Sequence, residues 1–215
     1  MKKALLSENA HTDLILWLKD MALEIQNIPC INGSPIGTHP DLYFCQMSCS
    51  DNGDVFSGTE SKVGQKYPGD CIYNAASTGR FFIHNTNITD PELLDAAKAH
   101  QLDIIHVRQG YTKCSCVVVD ENSIITSDAG IARACRNKMD CLLVSPGHVI
   151  LEGYDYGFLG GASGRLEDTI IFNGDLQAHP DREKIRSFIT ERGLKIKYFD
   201  SYPLTDIGSI LISTE

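Results

Sequence analysis

The chain has no long apolar run and no run of basic residues. No stretch approaches the ~18 consecutive apolar residues that a spanning helix needs, which argues against a membrane protein. Lysine and arginine number 19 against 28 aspartates and glutamates, for a formal net charge of −9. Arg182, Lys184 and Arg186 sit among Asp181, Glu183 and Glu191 and read as a solvated helix face. That balance argues against a nucleic-acid groove and against an anionic membrane surface as partner. The opening Met-Lys-Lys-Ala-Leu-Leu is broken by Glu8, His11 and Asp13 before any apolar signal region forms, so a cytoplasmic location is expected.

Local metal-ligand spacing is lacking too. There are eight cysteines, yet Cys114 and Cys116 are too close together for a zinc pair, and Cys45 and Cys49 fit only loosely. The expectation is buried free thiols, with no metal and no cofactor.

What is present is a composition 42% hydrophobic and 22% charged over 215 residues, that of one globular domain spanning 1–215. Leu14, Trp17, Leu18, Met21 and Ile25 recur at helical spacing after Thr12 or Asp13 and predict a helix over residues 12–27. A strand–strand–helix–strand pattern then repeats. One copy runs from Asp70 through Phe81–His84, a helix after the Thr89–Glu92 capping-box pattern, and Asp103–Val107. A second runs from Lys113 through Ser123–Thr126, a helix capped by Ser127 or Asp128, and Asp140–Val144. A third runs from Ser163 through Thr169–Phe172, a helix starting at Pro180 and stopping at Gly193, and Leu194–Phe199. The copies start at Asp70, Lys113, Ser163 and Asp206, which stand 43, 50 and 43 positions apart. Partial copies start at His39–Phe44 and Thr205–Ile212, and the leading helix is the piece the last one lacks. The fold expected from this is an α/β, five-fold pseudosymmetric propeller, its ring closed by the N- and C-terminal segments.

Polar residues head the expected inner strands: Asp41, Asp70, Lys113, Ser163 and Asp206. Two-residue periodicity places Asn74 on the face of Asp70 and Ser115 on that of Lys113. Such residues meeting at an axis form either an ion-pair plug or a ligand site, because buried charges are costly unless paired. Two Gly-rich loops, 31–40 and 146–160, supply His39 and His148, and the second has the size and aromatic content of a lid. Cys45 is in phase with Asp41 and is the thiol kept as a nucleophile candidate, the alternative being a water activated by His39. The same phase directs Cys71, Cys114 and Cys116 away from the axis.

Several segments also carry a resemblance: Pro68-Gly-Asp-Cys-Ile-Tyr-Asn-Ala75, Val107-Arg-Gln-Gly-Tyr-Thr-Lys-Cys114, Ser145-Pro-Gly-His148, Gly157-Phe-Leu-Gly-Gly-Ala-Ser-Gly164 and Leu204-Thr-Asp-Ile-Gly-Ser209. From His39 onward the chain resembles an uncharacterised bacterial family classed with the guanidino-group-modifying enzymes of the pentein fold. The resemblance implies a nucleophilic cysteine near the C-terminus, a histidine acid/base and carboxylates that hold a cation. Here Leu211 or Ile210 stands at the nucleophile position, and no cysteine lies beyond Cys141. The leading expectation is therefore a site for a small, cationic or amide-bearing molecule, made of Asp41, Asp70, Asn74, Lys113, Ser115, His148, Ser163 and Asp206. A hydrolase acting on a C–N bond and a structural protein with an ion-pair plug are the alternatives; self-association is left open.

Overall fold

The computed structural model describes residues 2–31 and 33–214, so Asn32, within the first Gly-rich loop, lies outside the described residues. Its strands fall into five small, separate sheets of two or three strands, with five helices among them. This mixed α/β arrangement corrects the expected propeller: among the described residues none of the sheets is closed, and no propeller closure is shown.

The repeated unit itself is visible. Phe81–His84 pairs antiparallel with Ala76–Ser77 and parallel with Asp103–His106, the crossover being the helix Pro91–Ala99. Ser123–Thr126 pairs likewise with Cys116–Asp120 and Asp140–Leu143 around the helix Ala129–Cys135. Thr169–Phe172 pairs with Ser163–Leu166 and Lys195–Lys197 around the helix Arg182–Thr190. In each, the middle strand is buried along nearly its whole length, since it is covered on both faces. The two chain ends make a fourth copy: Lys2–Ser7 pairs antiparallel with Leu211–Thr214 and parallel with Glu24–Ile28 across the helix Thr12–Asp20. Phe44–Gln46 and Val55–Ser57 form a hairpin alone.

The leading helix is shorter than its apolar spacing predicts. It stops at Asp20 because Ala22 takes φ 62°, a left-handed position that ends a helix. Ile25 then belongs to a strand. Its cap is His11, whose ring nitrogen accepts from the Asp13 amide, in place of Thr12 or Asp13. The helix Pro91–Ala99 is capped by Asp90, which accepts from the amides of Glu92 and Leu93. The helix Ala129–Cys135 is capped by Asp128, which accepts from Ile131. Each helix buries one face against its own sheet: Leu14 and Leu18, Leu93 and Ala97, Ile131 and Cys135, Ile185 and Ile189.

The repeat starts depart most from expectation, and they carry the polar residues. Residues 40–42 form a short 3₁₀ turn and Thr112–Ser115 a single helical turn, while residues 70–75 are irregular. Strand phase therefore does not govern where these side chains point.

Candidate functional site

Five chain segments are stitched together by main-chain bonds at one place. Asp41 N–H donates to the Gly208 carbonyl (3.2 Å), and Gly161 N–H to that of Cys114 (2.8 Å). Ser209 N–H donates to Gly161 (2.7 Å), and Lys113 N–H to Asn74 (3.0 Å). The contact is close enough to need glycine. A Cβ on Gly161 would overlap the Asp206 carboxylate, and one on Gly208, itself at φ +72°, would overlap His39.

Asp41 is fully buried at the centre. Its Oδ2 accepts from the Ser209 hydroxyl (2.6 Å) and the Cys114 thiol (3.0 Å). Its Oδ1 has no hydrogen-bond partner. Lys113 Nζ donates to Ser209 Oγ at 3.0 Å, so the amine reaches the carboxylate through a hydroxyl. Asn74 holds the helical turn: its Oδ1 accepts the amides of Lys113 (2.8 Å) and Cys114 (3.2 Å), and its Nδ2 donates to Cys114 Sγ (3.4 Å). Asp206 accepts from the amides of Phe158 and Gly208, each at 2.9 Å. His39 Nδ1 lies 3.9 Å from Asp206 Oδ1, beyond hydrogen-bond reach, and is also unpartnered.

Over this cluster lies a cavity of about 300 Å³. His39, Cys114 and Asp206 line its polar side; Tyr111, Tyr154, Tyr156 and Phe158 line much of the rest. The loop carrying Tyr154 and Tyr156 is pinned at both ends, Ile150 N–H to the Leu204 carbonyl and Gly157 N–H to that of Val149. Its two tyrosines are nearly half exposed, as befits a wall facing both solvent and pocket.

Burial sets the protonation of the site. It raises the Asp41 carboxyl above its ordinary range and lifts Asp206 to about 6. It lowers the His39 imidazole, which favours the neutral ring. The Cys114 thiol is held well above its ordinary value, by burial first and then by the charges of Asp41 and Asp206. The cluster thus gathers two carboxyls and a protonated thiol around one nearby amine.

The structure brings together Asp41, Asn74, Lys113, Asp206 and His39 of the residues singled out in the sequence. Asp70 joins the edge of the group through the Tyr111 hydroxyl (2.7 Å). Ser115 and Ser163 are turned to neighbouring carbonyls, those of Tyr111 and Gly160. His148 is exposed, edge-on to His179 with ring centres 5.3 Å apart. Cys45 is packed in an apolar core with Leu42, Tyr43 and Phe82, its thiol donating to the Ala75 carbonyl and its pKa pushed up to about 12. The thiol at the cavity is Cys114, which strand phase directed away from the centre. The helical turn at residues 112–115 reverses that inference. Ser209 and Tyr111 were also not anticipated; only their place in the segments quoted for the resemblance marked them.

Fold and site together define a mixed α/β protein with a buried His–Asp–Cys cluster beneath an aromatic-walled cavity. A family model described as "Family of unknown function (DUF6873)" matches residues 5–211, and the chain belongs to that family. No curated protein and no solved structure matches it. Among the described residues no helix is long and apolar enough to cross a membrane.

Proposed function

We propose that the cavity over His39, Cys114 and Asp206 binds a small molecule bearing a cationic or amide group. One observation carries this reading: two buried carboxyls, one with an oxygen that has no partner, lie beside a cavity walled by tyrosines and phenylalanine. Unpaired buried carboxylates are costly, and a cation or N–H donor relieves that cost. Aromatic faces add cation–π attraction for the same class of ligand. The cavity volume falls at the lower end of the roughly 300–1,000 Å³ typical of ligand sites, which limits the ligand to metabolite size. The resemblance to guanidino-group-modifying enzymes points to guanidino compounds first.

The test is a thermal-shift panel of guanidino compounds, amines, amino acids and amides. Binding to the folded state raises the melting temperature, by an amount that grows with the logarithm of one plus the ratio of free ligand to Kd. A rise with one of these compounds that is lost in Asp206→Asn supports the reading. No rise across the panel favours the structural plug.

A second reading has an observation of its own. The Cys114 thiol faces the cavity within 4.8 Å of a His39 ring nitrogen. A bound cation would favour its thiolate, and attack on a C–N carbon would follow, with His39 moving the proton to the leaving amine. Cys114 takes the nucleophile's place here in preference to Cys45, which does not line the cavity. Release of ammonia or an amine from the binding compound, abolished in Cys114→Ser, is the expected result.

A further inference from the structure

We infer that His39, Asp41 and Cys114 form a binding site for a single divalent transition-metal ion of the zinc or cobalt type. The inference does not rest on the organic-ligand reading. One donor atom from each of the three residues lies within 4.8 Å of the others, and all three side chains are buried.

Two of the three present donors with nothing to bind. His39 Nδ1 and Asp41 Oδ1 are buried polar atoms without hydrogen-bond partners, each expensive to leave unsatisfied. His39 and Asp41 are 4% and 0% exposed, so solvent does not compensate them. An ion accepting both lone pairs removes both costs at once.

The donor chemistry selects the ion. Imidazole nitrogen, carboxylate oxygen and thiolate sulfur together suit borderline ions, not calcium or magnesium, which prefer oxygen throughout. Tetrahedral coordination at ~2.1–2.3 Å would separate the donors by about 3.5 Å, so a pair at the 4.8 Å limit closes by a little over an ångström, while Cys114 Sγ and Asp41 Oδ2, at 3.0 Å, are already near enough. Three protein ligands leave a fourth position. Since His39 and Cys114 both line the cavity, that position opens into it. This is the pattern of an exchangeable site, as opposed to a closed structural one.

The surrounding bonds orient the ligands. Asn74 donates to Cys114 Sγ, and Ser209 donates to the Asp41 oxygen opposite the free one. The thiol proton, now directed at Asp41 Oδ2, leaves to solvent when the metal–sulfur bond forms, with no change of oxidation state. The three ligands are dispersed, with Cys114 in a different segment from His39 and Asp41, so no local spacing of cysteines or histidines announces them.

Cobalt(II) titration of the reduced, chelator-treated full chain is the direct test, because a thiolate–cobalt bond gives a sulfur-to-metal charge-transfer band in the near ultraviolet. The expected result is a band that saturates at one ion per chain, bleaches on adding zinc, disappears in Cys114→Ser and persists in Cys30→Ser. Absence of the band in the wild-type protein overturns the inference, as does its persistence in Cys114→Ser. Should Cys114→Ser fold poorly, X-ray absorption of the zinc-loaded wild-type chain decides: one sulfur with nitrogen and oxygen supports the site, and no sulfur or several overturn it. Both measurements are made without organic ligand, so they stand apart from the thermal-shift panel.

Discussion

Ser209 Oγ lies 2.6 Å from Asp41 Oδ2, although 168 positions separate the two residues in the chain. The same hydroxyl accepts from Lys113 Nζ at 3.0 Å. A single serine thus joins the Lys113 amine to the central carboxylate. It holds a left-handed backbone conformation (φ 73°) to do so, a strain of the kind that surrounding structure must stabilise.

Ser209→Ala should therefore destabilise the fold by about 1–3 kcal/mol, the usual consequence of leaving buried polar partners unsatisfied. Chemical denaturation at neutral pH measures it. An unchanged midpoint would mean that Asp41 does not depend on this hydroxyl.

Gly161→Ala should cost about 1–3 kcal/mol, through overpacking. The added methyl meets the Asp206 carboxylate, which is itself held by two main-chain amides. Gly69→Ala is the informative contrast. Its φ is not positive either, and an added Cβ there meets only ordinary van der Waals neighbours, the nearest at 3.5 Å. Equal losses in the two variants would contradict the close approach at Gly161.

How much of this could be read in the residues varies by element. The three central repeats were legible because their helices carry caps at Asp90 and Asp128 and clean apolar stripes. The strands Lys2–Ser7 and Glu24–Ile28 were not, since one resembles the start of a leader and the other continues a helical spacing that Ala22 interrupts. In the site, Asp41, Asn74, Lys113 and Asp206 were found from their polar character at repeat starts. Two-residue periodicity points to Cys45 over Cys114, but it holds only for strands, and the segments here are a helical turn and a 3₁₀ turn. A ring closed by both termini was expected; the termini instead pair within one small sheet.

His84 gives a pH prediction away from the site. Its Nε2 donates to the Gly110 carbonyl (2.9 Å), and Nδ1 lies 2.7 Å from Thr89 Oγ1, with the ring buried from water. Burial lowers its pKa to about 4, and the neighbouring His106 acts in the same direction. Between the ordinary histidine value of about 6.5 and about 4, the unfolded chain binds the extra proton and the folded chain does not. Stability should therefore fall as pH drops through that window, by a total on the order of 3 kcal/mol for this group. Urea midpoints at pH 7 and pH 4, compared between wild type and His84→Asn, check the difference. A pH slope identical in both would remove His84 as its source.

Thiol accessibility gives another. Cys30 is exposed, whereas Cys45, Cys71, Cys114, Cys116 and Cys135 are buried. Iodoacetamide on the native protein should label Cys30 first and leave the buried five protected until denaturant is added. Early labelling of Cys45 would mean that its apolar surroundings open readily.

The measurement that bears most directly on the account is a crystal structure of the protein soaked with guanidinium. We predict density for the ion against the carboxyl oxygens of Asp206 or Asp41, facing Tyr111 and Tyr156. A filled cavity with no cation at either carboxyl, or side chains packed so that no cavity lies over His39 and Asp206, would contradict it.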